Sequence, residues 1–134
     1  MGAAIATCFE DTGIDLYIGT GGAPEGVISA AAIKALGGEQ QGRLAPADQE
    51  EFERCVKMGL KDPRQVLMMD DMVRGEDAIF AATGVTDGEL LRGVRFVGND
   101  RAETHSIVMR ARTKTVRWIK ALHSIPNKPH LIME

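Results

Sequence analysis

The sequence has few of the residues that mark secreted, membrane or zinc-binding proteins. Its two cysteines, Cys8 and Cys55, form no CxxC pair and no Cys/His ligand cluster. Two isolated cysteines beside seven methionines are typical of a reduced compartment, so we expect a cytoplasmic protein. No apolar run approaches the roughly 20 residues of a membrane helix, and the opening MGAAIATCF lacks the basic flank of a signal peptide. We therefore expect no membrane association.

Aromatic residues are also scarce, including in the part of the chain where basic residues are concentrated. Residues 1–89 carry 16 acidic and 7 basic side chains, whereas residues 90–120 carry 2 acidic and 8 basic ones. Only Phe96 and Trp118 interleave aromatic rings with this basic stretch, although nucleic-acid surfaces usually combine the two. We interpret the stretch as a solvated hairpin face or a subunit contact, and we expect no nucleic-acid partner.

Clusters of metal-binding side chains are equally hard to find. His105, His123 and His130 have no metal-ligand spacing. Asp70 and Asp71 are adjacent carboxylates that fit a divalent cation or a helix cap, and the cap is the interpretation that we favour. The sequence by itself therefore indicates no complete metal site.

What is present is enough apolar sequence for one compact core. A chain of 134 residues, 44% of them hydrophobic, is expected to form a single domain over residues 1–134. Helix periodicity and end signals predict helices over Ala3–Phe9, Pro24–Leu36 and the segment ADQEEFERCVKMG. Short strands are predicted from Asp15 (DLYIG) and over QQGRLAP, which gives the first half a βαβα order.

The second half of the chain is predicted to be mostly β structure. A short strand at Val66–Met68 and a turn of helix from Asp70 precede the strand AIFAATGV, which starts at Ala78. The segments GVRFV, HSIVMRA and TVRWIKALHSI follow, the last two as a hairpin turning near Thr113 and Lys114. The final segment fits a strand or a helix. We therefore predict an α/β fold with a mixed sheet covered by helices.

The segment GTGGAPEG, between DLYI and the helix that Pro24 opens, is the strongest local motif. A helix amino terminus exposes free N–H groups and the positive end of the dipole, so a glycine-rich turn leading into one can hold phosphate. The alternative is that the glycines only permit tight packing while Glu25 interacts with the helix dipole. The dinucleotide fingerprint begins at Gly19 and Gly21, but Pro24 replaces its third glycine. The local sequence alone therefore does not decide between phosphate binding and a purely structural turn.

Three longer segments together resemble a known family. LYIGTGGAPEGVISAAAIKALGGEQQGRL, IFAATGVTDGELLRGVRF and THSIVMRARTKTVRWIKALH are similar, in order and over nearly the whole chain, to class II (GlpX-type) fructose-1,6-bisphosphatases. The resemblance implies the carboxy-terminal lobe of the lithium-sensitive sugar phosphatase fold. It also implies hydrolysis of the 1-phosphate of fructose 1,6-bisphosphate in gluconeogenesis with Mn²⁺ or Mg²⁺, and in some relatives use of sedoheptulose 1,7-bisphosphate.

The resemblance also implies roles for two residues of the glycine turn. The backbone of Gly22 is expected to contact the substrate, and the carboxylate of Glu25 is expected to ligate the metal. Family members carry further acidic metal motifs and a D-G-D segment upstream of the matching region, and this sequence has neither. No catalytic residue is therefore assigned within this chain, and we expect the isolated chain to be inactive.

Two other classes of function remain as alternatives. A noncatalytic phosphate- or nucleotide-binding module would use the same glycine turn without a metal, and an assembly domain would need neither Gly22 nor Glu25. If an upstream lobe normally packs on this chain, apolar residues such as Val27, Ile28 and Ile33 would be exposed. We therefore expect the chain to self-associate or to be only marginally stable. For the parent enzyme we expect a homo-oligomer.

Overall fold

The computed structural model describes residues 1–128, so His130 lies outside the described residues. Within the described residues there are four α-helices, four β-strands and one 3₁₀ turn at Glu10–Thr12. The helices are α1 (Gly2–Ala6), α2 (Ala23–Leu36), α3 (Gln49–Lys57) and α4 (Met69–Met72), and the strands are β1 (Ile79–Thr83), β2 (Arg95–Val97), β3 (Arg101–Arg110) and β4 (Thr115–Ser124). Within this part of the chain, no helix combines the length and the apolar character needed to cross a membrane.

Helix α2 begins and ends where its sequence predicts. Pro24 lies in the first turn, where a missing N–H costs no helical hydrogen bond. At the other end Gly37 adopts a left-handed conformation with φ 84° and donates to the carbonyls of Ile33 and Lys34, which satisfies the last turn. The predicted helix over Pro24–Leu36 is confirmed.

The sheet is built around β3. Strand β4 pairs with β3 along ten residues, and β1 and β2 share the opposite edge of β3. The β3–β4 hairpin turns through Lys114, which has a positive φ of 50°. The final segment is therefore a strand, and the predicted hairpin is confirmed.

The core lies between one face of this sheet and the helices. Phe80 of β1 stands opposite Met109 of β3, and both are buried together with Ile107. Ile5 of α1 and the inner side of α2 pack against them. The α/β class with helices on a sheet is confirmed, while every described strand pair is antiparallel. Ile33, which we expected to be exposed, is buried in this core.

The predicted strand at Asp15 is wrong. Residues 13–22 have no regular secondary structure, and Leu16 and Ile18 are exposed to solvent. The physical reason is that a strand needs a neighbour for its N–H and C=O groups, and no strand within residues 1–128 pairs with this segment.

The predicted strands at QQGRLAP and Val66–Met68 are also wrong as strands. They meet only at one isolated antiparallel bridge, in which Gly42 and Leu67 exchange backbone hydrogen bonds of 2.9 and 2.7 Å. The βαβα beginning therefore does not form. Without it the sheet has no parallel pair in the described part of the chain.

Two polar contacts tie the hairpin to the rest of the molecule. Arg110 donates from Nε and Nη2 to the Asp77 carboxylate, the shorter bond being 2.7 Å. Lys114 Nζ donates to the carbonyl oxygen of Lys34 at 2.6 Å, near the carboxyl end of α2. The hairpin is thereby held against both β1 and α2.

Candidate functional site

The amino terminus of α2 is an open backbone cap. Gly22 is its N-cap residue, and no side chain caps the helix. The first backbone bond of the helix runs from the Gly26 N–H to the Gly22 carbonyl at 3.1 Å. The N–H groups of Ala23 and Glu25 have no acceptor among the described residues, and this turn is exposed. Free amides at the positive end of a helix dipole favour a bound anion.

The carboxylate of Glu25 folds back over this cap. A methyl group at Gly22 would collide with Glu25 Oε2, so the two residues that the family resemblance singled out are brought together. The backbone of Gly22, with φ −66° and ψ 151°, is accessible to any residue. A larger residue at this position would therefore have to displace the flexible carboxylate end of Glu25.

The first turn of α2 is held in place by two side chains. Ser29 Oγ donates to the Glu25 carbonyl at 2.7 Å, and Gln40 Nε2 donates to the Gly26 carbonyl at 2.9 Å. Sequence reasoning missed Gln40, because its contact crosses a loop and no local pattern indicates it. The buried Oε1 of Gln40 receives no hydrogen bond within residues 1–128.

Glu25 is a single carboxylate and not a complete metal site. No group of three or more His, Cys, Asp or Glu side chains within residues 1–128 is arranged to hold a metal ion. Mg²⁺ takes about six oxygen ligands in near-octahedral geometry. The residues present therefore do not fit the metal by themselves, although Glu25 is a suitable hard ligand within a larger set.

Asp70 and Asp71 act as structural groups. Asp71 accepts a 2.8 Å hydrogen bond from the Met68 N–H at the start of α4, which confirms the cap interpretation. Asp70 pairs with Lys34 Nζ at 2.7 Å. Neither carboxylate faces Glu25 in a ligand group.

The histidines within the described residues also have structural partners. His105 stacks on Trp118 with ring centroids 5.4 Å apart, and its Nδ1 accepts the Arg92 N–H at 3.3 Å. His123 Nε2 lies 2.9 Å from the Thr104 hydroxyl. An open depression of about 420 Å³ lies beside His105 and Trp118, and no cluster of metal ligands lines it.

Part of the basic stretch is paired within the chain. Arg110 binds Asp77, and Lys120 Nζ lies 2.8 Å from Glu103 Oε2. The hydrogen bond from Arg110, opposed in part by desolvation, holds the pKa of Asp77 below its usual range. These pairs support a structural role for the hairpin.

Comparison with known proteins connects this chain to one family. The family described as bacterial fructose-1,6-bisphosphatase, glpX-encoded, matches residues 1–123. The fructose-1,6-bisphosphatase class 2 of Haemophilus influenzae is 39% identical in an alignment of 136 positions, gaps included, that covers 92% of this chain and 40% of that protein.

Two further relatives give the same result. The D-fructose 1,6-bisphosphatase class 2/sedoheptulose 1,7-bisphosphatase of a Synechococcus species is 39% identical over 92% of the chain and 39% of that protein. Fructose-1,6-bisphosphatase 1 class 2 of Escherichia coli is 38% identical over 96% of the chain and 41% of that protein. The chain thus spans about two fifths of the length of these curated relatives, within their carboxy-terminal portion. With a family match over almost all of its length, the chain belongs to the glpX-encoded bacterial fructose-1,6-bisphosphatases.

Proposed function

We propose that this chain is the carboxy-terminal part of a metal-dependent phosphatase that hydrolyses the 1-phosphate of fructose 1,6-bisphosphate to fructose 6-phosphate and phosphate. The names of its relatives support this substrate, and the Synechococcus relative supports sedoheptulose 1,7-bisphosphate as a second one. The proposed setting is gluconeogenesis in the cytoplasm. The two free, half-buried cysteines are in keeping with a reducing compartment.

In this proposal the glycine turn binds both the substrate and one metal ion. The backbone of Gly22 and the free amides of the α2 cap contact the phosphorylated end of the sugar, because they offer N–H donors at the positive end of the helix dipole. Glu25 supplies one hard oxygen ligand to Mn²⁺ or Mg²⁺. A divalent metal, when bound, polarises the phosphoryl group and orients the attacking water.

The observation that carries the proposal is the approach of the Glu25 carboxylate to the open cap at Gly22. A Glu at the third helical position also folds back toward the N-cap residue when it only caps the helix, so substitution of Glu25 must separate the two roles. A metal ion held by Glu25 and further ligands would lie beside the free amides of the cap, where it would supply Lewis-acid stabilisation to a phosphoryl group bound there.

The test is a chimera that joins the amino-terminal part of the Haemophilus influenzae relative, which the chain does not match, to this chain. We expect phosphate release from fructose 1,6-bisphosphate that depends on Mn²⁺ and stops with a chelator. A folded chimera that binds sugar phosphate equally well with chelator and releases no phosphate would instead favour the noncatalytic phosphate-binding module.

A further inference from the structure

Strand β4 forms one edge of the sheet, and this edge is long, regular and open. It pairs with β3 through ten consecutive residue pairs without a bulge. Its extensive contacts within residues 1–128 are with β3 alone, and it contains no proline. The free N–H and C=O groups of such an edge are a template for another strand, and natural proteins usually protect them with proline, a bulge or a covering element. None of these devices protects β4 in the described part of the chain.

The basic side chains of β4 do not close this edge to a partner. Lysine on an edge strand usually discourages pairing, and β4 carries Arg117 and Lys120. Lys120 Nζ lies 2.8 Å from Glu103 Oε2, so a neighbouring carboxylate compensates its charge. Arg117 and Lys120 also point to opposite faces of the sheet, because they are three residues apart. Their charges therefore restrict the register of a partner strand more than they prevent pairing.

The same strand exposes apolar side chains on both faces of the sheet. The exposed fractions are 49% for Trp118, 43% for Ile119 and 54% for Leu122. Trp118 stands opposite the buried Ile107 of β3, so its ring lies on the core face at the rim of the sheet. Ile119 points to the other face. Apolar groups beside an open edge are typical of an interaction surface.

The length of β4 favours a second β4 as its partner. The other outer strand of the sheet, β1, has five residues and would pair with only half of β4. Pairing of β4 with β1 would also be head-to-tail, and it would leave free edges for further copies. Two β4 strands match in length and close a dimer around a two-fold axis.

The side chains of β4 select one register for such a dimer. Residues directly opposite each other in an antiparallel pair point to the same face, so a two-fold axis must place one residue opposite its own copy. The two central residues of β4 are Ile119 and Lys120. An axis at Lys120 would bring like charges directly opposite each other, which destabilises a strand pair. An axis at Ile119 brings two apolar side chains together.

We propose that β4 pairs with β4 of a second copy of this chain, antiparallel and in the register centred on Ile119. In this register residues 115–123 of both copies pair. Lys120 lies opposite Trp118 of the second copy, where its aliphatic stem can cover the half-exposed ring. Val116 lies opposite Leu122 on the same face. The dimer joins two four-stranded sheets into one, and it does not depend on the proposed phosphatase activity.

The register also keeps like charges from facing each other. Arg117 lies opposite Ala121 of the second copy, so no basic side chain directly faces another. The two Lys120 side chains are diagonal neighbours, and each keeps Glu103 of its own copy as an ion-pair partner. Charge therefore agrees with strand length and apolar exposure in selecting this arrangement.

The first experiment tests the register by cross-linking single-cysteine substitutions of the chain with a short bifunctional thiol reagent. Ile119→Cys should link efficiently, because its two copies face each other at the axis. Ala121→Cys is the matched control on the same face of the strand. Its two copies are four residues apart along the paired strands, about 13 Å, so it should link poorly. The unsubstituted chain gives the background from its two half-buried cysteines.

The second experiment tests by sedimentation in reducing buffer whether this edge causes association. The unsubstituted chain should form dimers, and Ile119→Lys should weaken dimerisation by about tenfold or more, because it places two like charges at the axis. Ile79 of β1 is 67% exposed, so Ile79→Lys is the matched control and should dimerise normally. If Ile119→Lys does not fold, the cross-linking of Ile119→Cys decides.

Three results would overturn the inference. One is equal linking of Ile119→Cys and Ala121→Cys, or no linking of Ile119→Cys above the background. Another is a chain that stays monomeric up to about 100 µM. The third concerns Val27 and Ile28 of α2, which are 44% and 45% exposed. Dimers that persist in Ile119→Lys and are lost in Val27→Lys would assign the association to α2 and not to β4.

Discussion

Replacing Glu25 by Gln in the chimera distinguishes a metal ligand from a helix-capping charge. The side chain is exposed and, within residues 1–128, forms no ion pair. Gln has nearly the same shape as Glu, so a Gln side chain can take the same position over Gly22. The substitution therefore removes the negative charge and little else.

The two roles predict effects of different size on different quantities. If Glu25 only balances the dipole of α2, its neutralisation should cost about 0.3–1 kcal/mol of stability and leave turnover almost unchanged. If it ligates the metal, the loss of one hard ligand should reduce turnover by about 100-fold or more, which corresponds to roughly 2.7 kcal/mol of transition-state stabilisation. We expect the second result, with a melting temperature close to that of the unsubstituted chimera.

The assay measures phosphate release as a function of Mn²⁺ concentration, beside a thermal melt of each variant. Excess Mn²⁺ should restore part of the activity of Glu25→Gln, since the weakened site still has its other ligands. Glu50→Gln is the matched control, because Glu50 is also an exposed carboxylate in a first helical turn, that of α3. Near-normal turnover with an unchanged Mn²⁺ requirement would show that Glu25 acts only as a helix-capping charge and would contradict its assignment as a metal ligand.

Three further predictions follow from the same structure. The chain alone should release no phosphate from fructose 1,6-bisphosphate with Mn²⁺, because one carboxylate does not position an ion that needs about six oxygens. Turnover comparable with that of the chimera would show that the active site lies elsewhere in the chain than proposed. Gly22→Ala should displace the Glu25 carboxylate and lower turnover of the chimera by about tenfold or more, with little change in its melting temperature. A methyl group at Gly21 meets nothing within 4 Å, so Gly21→Ala is the control and should leave turnover unchanged. Equal turnover of the two variants would contradict the steric argument. The lowered pKa of Asp77 means that its bond with Arg110 stabilises the fold fully above the unfolded-state pKa of 3.8 and that this contribution is lost as the pH falls through the folded-state pKa. Asp77→Asn should therefore lower the stability of the fold at pH 7 and make that stability less dependent on pH in the acid range. Parallel acid-unfolding curves for the two forms would contradict a stabilising role of the Asp77–Arg110 pair.

Elements with local end signals could be predicted from the sequence. Pro24 and Gly37 bound α2, and Asp48 caps α3 by accepting the Glu51 N–H at 2.8 Å. The β3–β4 hairpin also rests on a local turn at Lys114. In each case the residues that decide the structure are neighbours along the chain, so propensity and capping are sufficient.

Elements that depend on distant partners could not be predicted in this way. The segment from Asp15 has strand composition, but composition does not supply the second strand. Gln40 was missed for the same reason, since its bond to the Gly26 carbonyl joins residues on either side of a helix and a loop. The bridge between Gly42 and Leu67 is all that remains of two predicted strands.

The candidate site shows the same division between local and distant requirements. The open cap of α2 and the carboxylate above Gly22 are both set within four residues. The family resemblance singled out these two residues, and their roles stay predictions. A complete set of metal ligands and a paired strand at Leu16 each require groups from elsewhere. The segment at Leu16 leads directly into the turn that carries Glu25, so both requirements fall within a stretch of about ten residues, some 35 Å when fully extended.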